Sequence, residues 1–393
     1  MLFRSALVLE HGVGQLERVT DAVRVDLGAQ ALRDDVDEVV LEVLRDARHE
    51  GHAQRGEFVE QENQVSEIPA QAIEPPADEH VERAPVSRHD GRQPALRWAT
   101  HLRALGHAVD TDSHWESRAH DLMIVEEVRH GRDAIHAWRR ANARGPLVLM
   151  LRGGDEYREI EADAALRDVL GLASRLVLPQ EKALEAIAEA YRPRVCVIPP
   201  SVRTYRRQAP PRSYFLACVL GAMEEGNDPF CAARALAFLD PEYPLRIVQI
   251  GRATDARLDT EARERMRVDS RYRWLGELDH TSANRWLARS HALVVSGRND
   301  DSVNAVAEAL GVGLPVMASR IDGHVGLLGD DYPAYFPEGN DCALAALLAR
   351  AQERPGFYGT VAAAVQARRH LVEPTKERKA IRALLAELRA RKA

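Results

Sequence analysis

The stretch VVSGRNDDSVNAVAEALGVG, residues 294–313, decides the fold. It opens on the end of an apolar strand, crosses a polar loop and enters a helix that Asp301 or Ser302 is placed to cap. Val303, Val306, Ala307 and Leu310 fall at i, i+3, i+4 and i+7, so one helix face turns to a core. Asn304 and Glu308 stand one turn apart on another face, with Asp300 just before the helix. Strand, polar loop and helix in that order form a βα unit, whose loop lies at the carboxyl end of the strand, where parallel sheets hold their ligands. Two carboxylates and an amide there suit the hydroxyls of a sugar or a ribose. A plain solvated helix face is the competing reading of the same spacing.

Downstream, PVMASRIDGHVGLLG (315–329) reads as a strand, a glycine-bearing loop and a short helix. Backbone N–H groups at such a helix start can hold a phosphate without a charged side chain, which makes Asp322, Gly323, His324 and Val325 candidates. Upstream, apolar strands are expected at 214–220, 245–250 and 272–275, with helices between them. Gly221, directly after the first of these, marks either a ligand's close approach or a simple turn. The preceding half repeats the grammar. Strands are expected at 123–125, 147–151, 175–178 and 195–198, and helices at 94–105, 132–143, 163–172 and 181–191. A basic segment with two prolines, 203–213, separates the halves as a linker. Two α/β domains, 87–202 and 214–370, would thus face each other across a cleft, followed by a charged amphipathic helix within 371–393.

Residues 1–86 differ. They are polar, end in a proline-rich acidic segment, and offer only one candidate amphipathic helix, at 36–47. They read as an irregular or disordered extension. The segment His80 to Val86 makes a poor central strand because of its charges and Pro85, so the first strand of the first domain is expected to be missing.

Composition narrows the function. A net charge of −7 argues against a nucleic-acid partner, and no apolar run approaches the ~20 residues of a membrane span. Cys196, Cys218, Cys231 and Cys342 form no CxxC pair, as expected of reduced thiols in a cytoplasmic protein. No His or Asp cluster has the spacing of a metal site.

The run from residue 292 through EALGVGLPVMAS resembles the donor-binding half of GT-B glycosyltransferases of the GT4 type. Their two glutamates eight positions apart correspond to Asp300 and Glu308. ALRWATHLRALGH (95–107), CVLGAMEEGNDPF (218–230), RYRWLGEL (271–278) and ASRIDGHVGLLGDDYPAYFPEG (318–339) are similar to the selenosugar synthases of selenoneine biosynthesis. The resemblance covers roughly residues 87–390. It implies a GT-B fold of two Rossmann-like parallel-sheet domains facing a cleft. It also implies transfer of a sugar from a UDP-sugar, typically UDP-N-acetylglucosamine, to selenophosphate, with no cofactor and no metal. Under it Glu308 holds the ribose, Asn304 and Asp300 border the sugar, and Gly276 and Glu277 lie beside the base. The loop from Asp322 through Gly323 and His324 to Val325 meets sugar and diphosphate. Arg88, His89, Arg129, His130, Arg152, Gly153, Gly154 and Asp155 are the acceptor-side candidates.

The sequence departs from that pattern at three places. An Arg and a Lys that grip the diphosphate in the relatives are replaced by Glu224 and Asn227. At about 1.5–3 kcal/mol for each charge-assisted hydrogen bond, the loss amounts to roughly 3–6 kcal/mol. A histidine expected near 127 is Glu127, and the loop before the first helix survives only as residues 87–91.

Overall fold

The computed structural model describes residues 22–25, 93–112, 120–126, 128–129, 131–151, 160, 163–298 and 302–392. The helix expected at 36–47 lies outside them.

The first sheet contains β1 (Ala22–Val25), β2 (Thr111–Asp112), β3 (Leu122–Glu126), β4 (Leu147–Met150), β5 (Arg175–Leu178) and β6 (Val195–Val197). Their order is β2-β1-β3-β4-β5-β6, and β3 to β6 run parallel. Strands β3, β4 and β5 are buried along their whole length, which is why they read as apolar runs, broken only by Glu126 at the end of β3 and Arg175 at the start of β5. The place beside β3 is not empty. Ala22–Val25 fills it, antiparallel to β3 with Val23 opposite Ile124, and antiparallel to β2 on its other side. Within the segment read as an irregular extension, these four residues thus pair into the first sheet. Their alternating β-branched pattern suits an extended backbone, but their partners lie about a hundred positions away in sequence.

The second sheet contains β7 (Phe215–Leu220), β8 (Leu245–Ile250), β9 (Tyr272–Trp274), β10 (Ala292–Val295), β11 (Val316–Ser319) and β12 (Tyr335–Phe336). All are parallel, in the order β12-β11-β10-β7-β8-β9. This is the doubly wound arrangement, in which the chain reverses direction across the sheet between β7 and β10. The helix Val303–Val312 packs Val306, Ala307 and Leu310 into the core at 0% exposure, and it ends on Gly313 in the left-handed region (φ 77°).

One expected helix is much shorter than its pattern. Over 181–191 only Ala183–Ala186 is helical, because Ile187 turns extended (ψ 127°) and is buried in the first core. Arg192 then donates to the freed Ile187 carbonyl at 3.0 Å. The linker lies on the second unit, where Arg207 donates to Ser290 O at 2.7 Å and Gln208 N to Ala288 O at 3.1 Å.

The last helix, Pro374–Lys392, belongs to the first core. Ile381, Leu384, Leu385 and Leu388 pack with Trp98, Leu102, Leu122 and Val148. Glu377 anchors it. Its carboxylate accepts from Arg97 Nε (3.0 Å), Trp98 Nε1 (2.9 Å), His101 Nε2 (3.1 Å) and Ser201 N (3.0 Å). Burial alone would raise this carboxyl, but the Arg97 charge and the bonds from His101 and Ser201 outweigh it and hold it down at about 2.

Candidate functional site

The carboxyl ends of β7, β8 and β9 finish in Gly221, Gly251 and Gly276, all with positive φ. Gly221 N donates to Ile250 O at 3.0 Å and Gly251 N to Gly276 O at 2.8 Å, so the three glycines line one edge of the sheet. A Cβ on Gly251 would stand 1.9 Å from Gly221 O. Only glycine permits that approach. Gly221 and Gly276 were singled out from the sequence and Gly251 was not, although the same strand-then-glycine grammar marks all three. Glu277 follows directly, exposed.

The loop after Gly221 is tied to the loop after β10. Ser296 Oγ donates to Asp228 O at 3.0 Å and Arg298 N to Gly226 O at 2.9 Å. Glu224 is half-buried, and the Asn227 amide donates back to Ala222 O at 3.5 Å. Asp228 is left-handed (φ 43°), and its carboxylate accepts from Arg234 Nη2 at 2.8 Å. Arg234 also reaches Asp341 at 2.6 Å. Asp228, Cys231 and Asp341 bring ligand atoms within 4.8 Å of one another. The set does not fit a metal ion, because the Arg234 cation already joins its carboxylates and burial keeps the Cys231 thiol protonated. Arg298 extends its half-exposed guanidinium between Asp228 and Glu338, 3.8 Å from each.

Across the edge, Asn304 and Glu308 share the half-buried face of the helix Val303–Val312. The Glu308 side chain is 14% exposed, and His280 Nδ1 stands 4.0 Å from its Oε1. Burial pushes its carboxyl up to about 7, against a smaller downward pull from Arg97 of the first unit. Asp300 and Asp301 lie outside the described residues.

Ser302 occupies the N-cap of this helix but makes no side-chain capping bond. Its hydroxyl instead meets His324 Nε2 at 2.6 Å. Because His324 Nδ1 lies 2.8 Å from the carbonyl of Ser319, that nitrogen carries the proton, and Ser302 is the donor to Nε2. The ring is fully buried, which pushes its pKa down to about 4 and keeps it neutral. His324 therefore braces the helix Asp322–Leu328 from inside rather than opening to the cleft. Gly323 and Val325 are buried beside it, and Asp322 is exposed at the helix start.

On the acceptor side, Arg129 donates to Asp163 at 3.1 Å. Arg88, His89, Glu127, His130, Arg152, Gly153, Gly154 and Asp155 lie outside the described residues. Glu126, which the sequence reading passed over inside an apolar strand, is 1% exposed at the end of β3 and accepts from Ala95 N at 3.1 Å.

Residues 215–353, the second sheet with its helices, match the family model described as glycosyl transferases group 1. HepE of Anabaena, solved in complex with UDP and glucose, superposes with a TM-score of 0.59 at 16% identity, over 74% of this chain and 89% of that one. Sucrose-phosphate synthase of Thermosynechococcus elongatus gives 0.57 at 15% identity, over 69% and 74%. A glycosyltransferase of Rickettsia africae gives 0.57 at 11% identity, over 75% and 93%. At such identities the likeness is one of fold, and the fold is GT-B. No curated protein matches the sequence. No helix among the described residues is long and apolar enough to cross a membrane.

Proposed function

We propose that the protein is a glycosyltransferase that moves a sugar from a UDP-sugar, with UDP-N-acetylglucosamine as the expected donor, to selenophosphate, forming a 1-seleno-sugar. One observation carries the donor half of this reading. The glycine edge at β7, β8 and β9 and the Asn304–Glu308 face flank the reversal point of a parallel sheet, within the segment that matches glycosyl transferases group 1. Gly276 and Glu277 would lie beside the base, Glu308 would accept from the ribose hydroxyls, and Asn304 with Asp300 would border the sugar. Backbone dipoles at the start of the helix Asp322–Leu328 would face the diphosphate. Selenium would attack C1 as UDP leaves, so the protein's main task is to hold the departing negative charge. Arg298 is the nearby cation tied to the loop that bears Glu224 and Asn227. The acceptor half rests on the resemblance over residues 318–339.

A second reading replaces selenophosphate with a sugar hydroxyl. The altered acceptor side favours it, because Glu127 stands where the resemblance expects a histidine. Both readings are tested by UDP release from UDP-N-acetylglucosamine, with and without selenophosphate, followed by mass spectrometry. Release that depends on selenophosphate and yields a seleno-sugar mass supports the first. Release only with a sugar acceptor supports the second. No release, with no thermal stabilisation by UDP, overturns both.

A further inference from the structure

Gly326 lies inside the helix Asp322–Leu328. A Cβ at this position would stand 1.9 Å from Oε1, 2.6 Å from Cδ and 2.9 Å from Cβ of Gln180. Gln180 belongs to the first unit, just past β5, and is 1% exposed. Its Oε1 accepts from Ala183 N at 3.1 Å, which ties the side chain to its own backbone and stops it from swinging aside. Two residues on, Lys182 Nζ reaches Asp330 Oδ1 at 3.3 Å, just beyond the same helix. The second unit holds the other faces, through the His324–Ser302 bond and through Arg368 Nη1 donating to Leu327 O at 3.1 Å. Both units therefore seat this helix. Glycine inside a helix costs about 1 kcal/mol relative to alanine. Local propensity thus argues against Gly326, and the close approach of Gln180 accounts for it.

We propose that Gln180 is a positioning residue. Its side chain, packed flush on Gly326, sets the spacing of the two units at the donor edge and so the seat of the helix that faces the diphosphate. Donor binding and the approach of the two units are then linked, because the donor meets a helix that is correctly seated only when the first unit rests on it. The binding part of this claim rests on the UDP-sugar reading; the spacing part does not.

The test uses the full chain with Gly326→Ala, Gln180→Ala and the double variant. UDP affinity is measured by calorimetry. The distance between the units is measured by electron–electron resonance between spin labels on the exposed Cys342 and on Arg144→Cys, also an exposed position. Gly326→Ala should weaken UDP about tenfold and lengthen the label distance, and Gln180→Ala should weaken UDP about threefold. The double variant should be no weaker than Gln180→Ala and should recover the original distance, because removing the Gln180 side chain makes room for the new methyl. Folding of the double variant where Gly326→Ala alone does not fold is the same rescue. A double variant as impaired as Gly326→Ala, or Gly326→Ala indistinguishable from the parent in both measurements, overturns the proposal. If the parent does not bind UDP, the donor reading fails, and the label distances still decide whether Gln180 sets the spacing.

Discussion

Glu308 is a carboxyl held where ionising is costly. Its folded pKa of about 7 lies above the ordinary 4.5, so the folded state gives up stability as pH rises from 4.5 through 7. Above that window Glu308→Gln should stabilise the protein by on the order of 2 kcal/mol, read as a rise in melting temperature that vanishes near pH 4.5. Under the proposed donor reading, in which Glu308 accepts from the ribose, the same substitution should weaken UDP, because hydroxyls donate best to an ionised carboxylate. Accordingly UDP should bind the parent more tightly as pH rises through 7 and release a proton at pH 6.5, measured by calorimetry in buffers of different ionisation enthalpy. A Glu308→Gln variant that loses stability at pH 8 would contradict this account. The spacing of Asn304 and Glu308 showed in the sequence that both side chains share a face. It did not show that Ser302 gives its hydroxyl to His324 instead of the helix end, because that bond joins two helices at positions 22 residues apart.

At the level of elements, the Gly221–Gly251–Gly276 edge is the part of the site with least tolerance for change. At Gly251, a methyl group meets both an unfavourable φ of +144° and the Gly221 carbonyl. Gly251→Ala should cost about 2–4 kcal/mol in urea unfolding. Gly171→Ala is the control. It lies in the helix Ala164–Leu172 with nothing within 4 Å of the new Cβ, and it should stabilise by up to about 1 kcal/mol. Most strands were readable because parallel strands buried on both faces are plain apolar runs, as in Leu147–Met150 and Ala292–Val295. The failures have tertiary causes. Residues 181–191 have a helical composition, yet the core takes Ile187 and ends the helix there. Ala22–Val25 carries too little local pattern to announce a partner as distant as Ile124.

For the whole molecule, Glu377 does the joining. It connects the last helix to the helix Gln93–Ala104 and to Ser201, where the chain crosses between the units. A folded pKa of about 2 against 4.5 means stability that is fully present above 4.5 and lost as pH falls from there toward 2. Glu377→Gln should therefore cost about 3 kcal/mol at pH 7, with the gap to the parent closing below pH 4.5. A gap that stays constant down to pH 2.5 would count against the clamp.

The last helix carries a consequence for how the chain is made. Nascent chains usually complete their N-terminal domain first, as it clears the ribosome. Here Ile381, Leu384, Leu385 and Leu388 are translated after every strand of both sheets, and they complete the core built on Leu122, Val148 and Trp98. The second sheet, finished by Phe336, has its strands before that helix exists. On the ribosome the C-terminal unit is thus first to become whole. The unit made earlier must wait with an apolar face uncovered until that helix emerges.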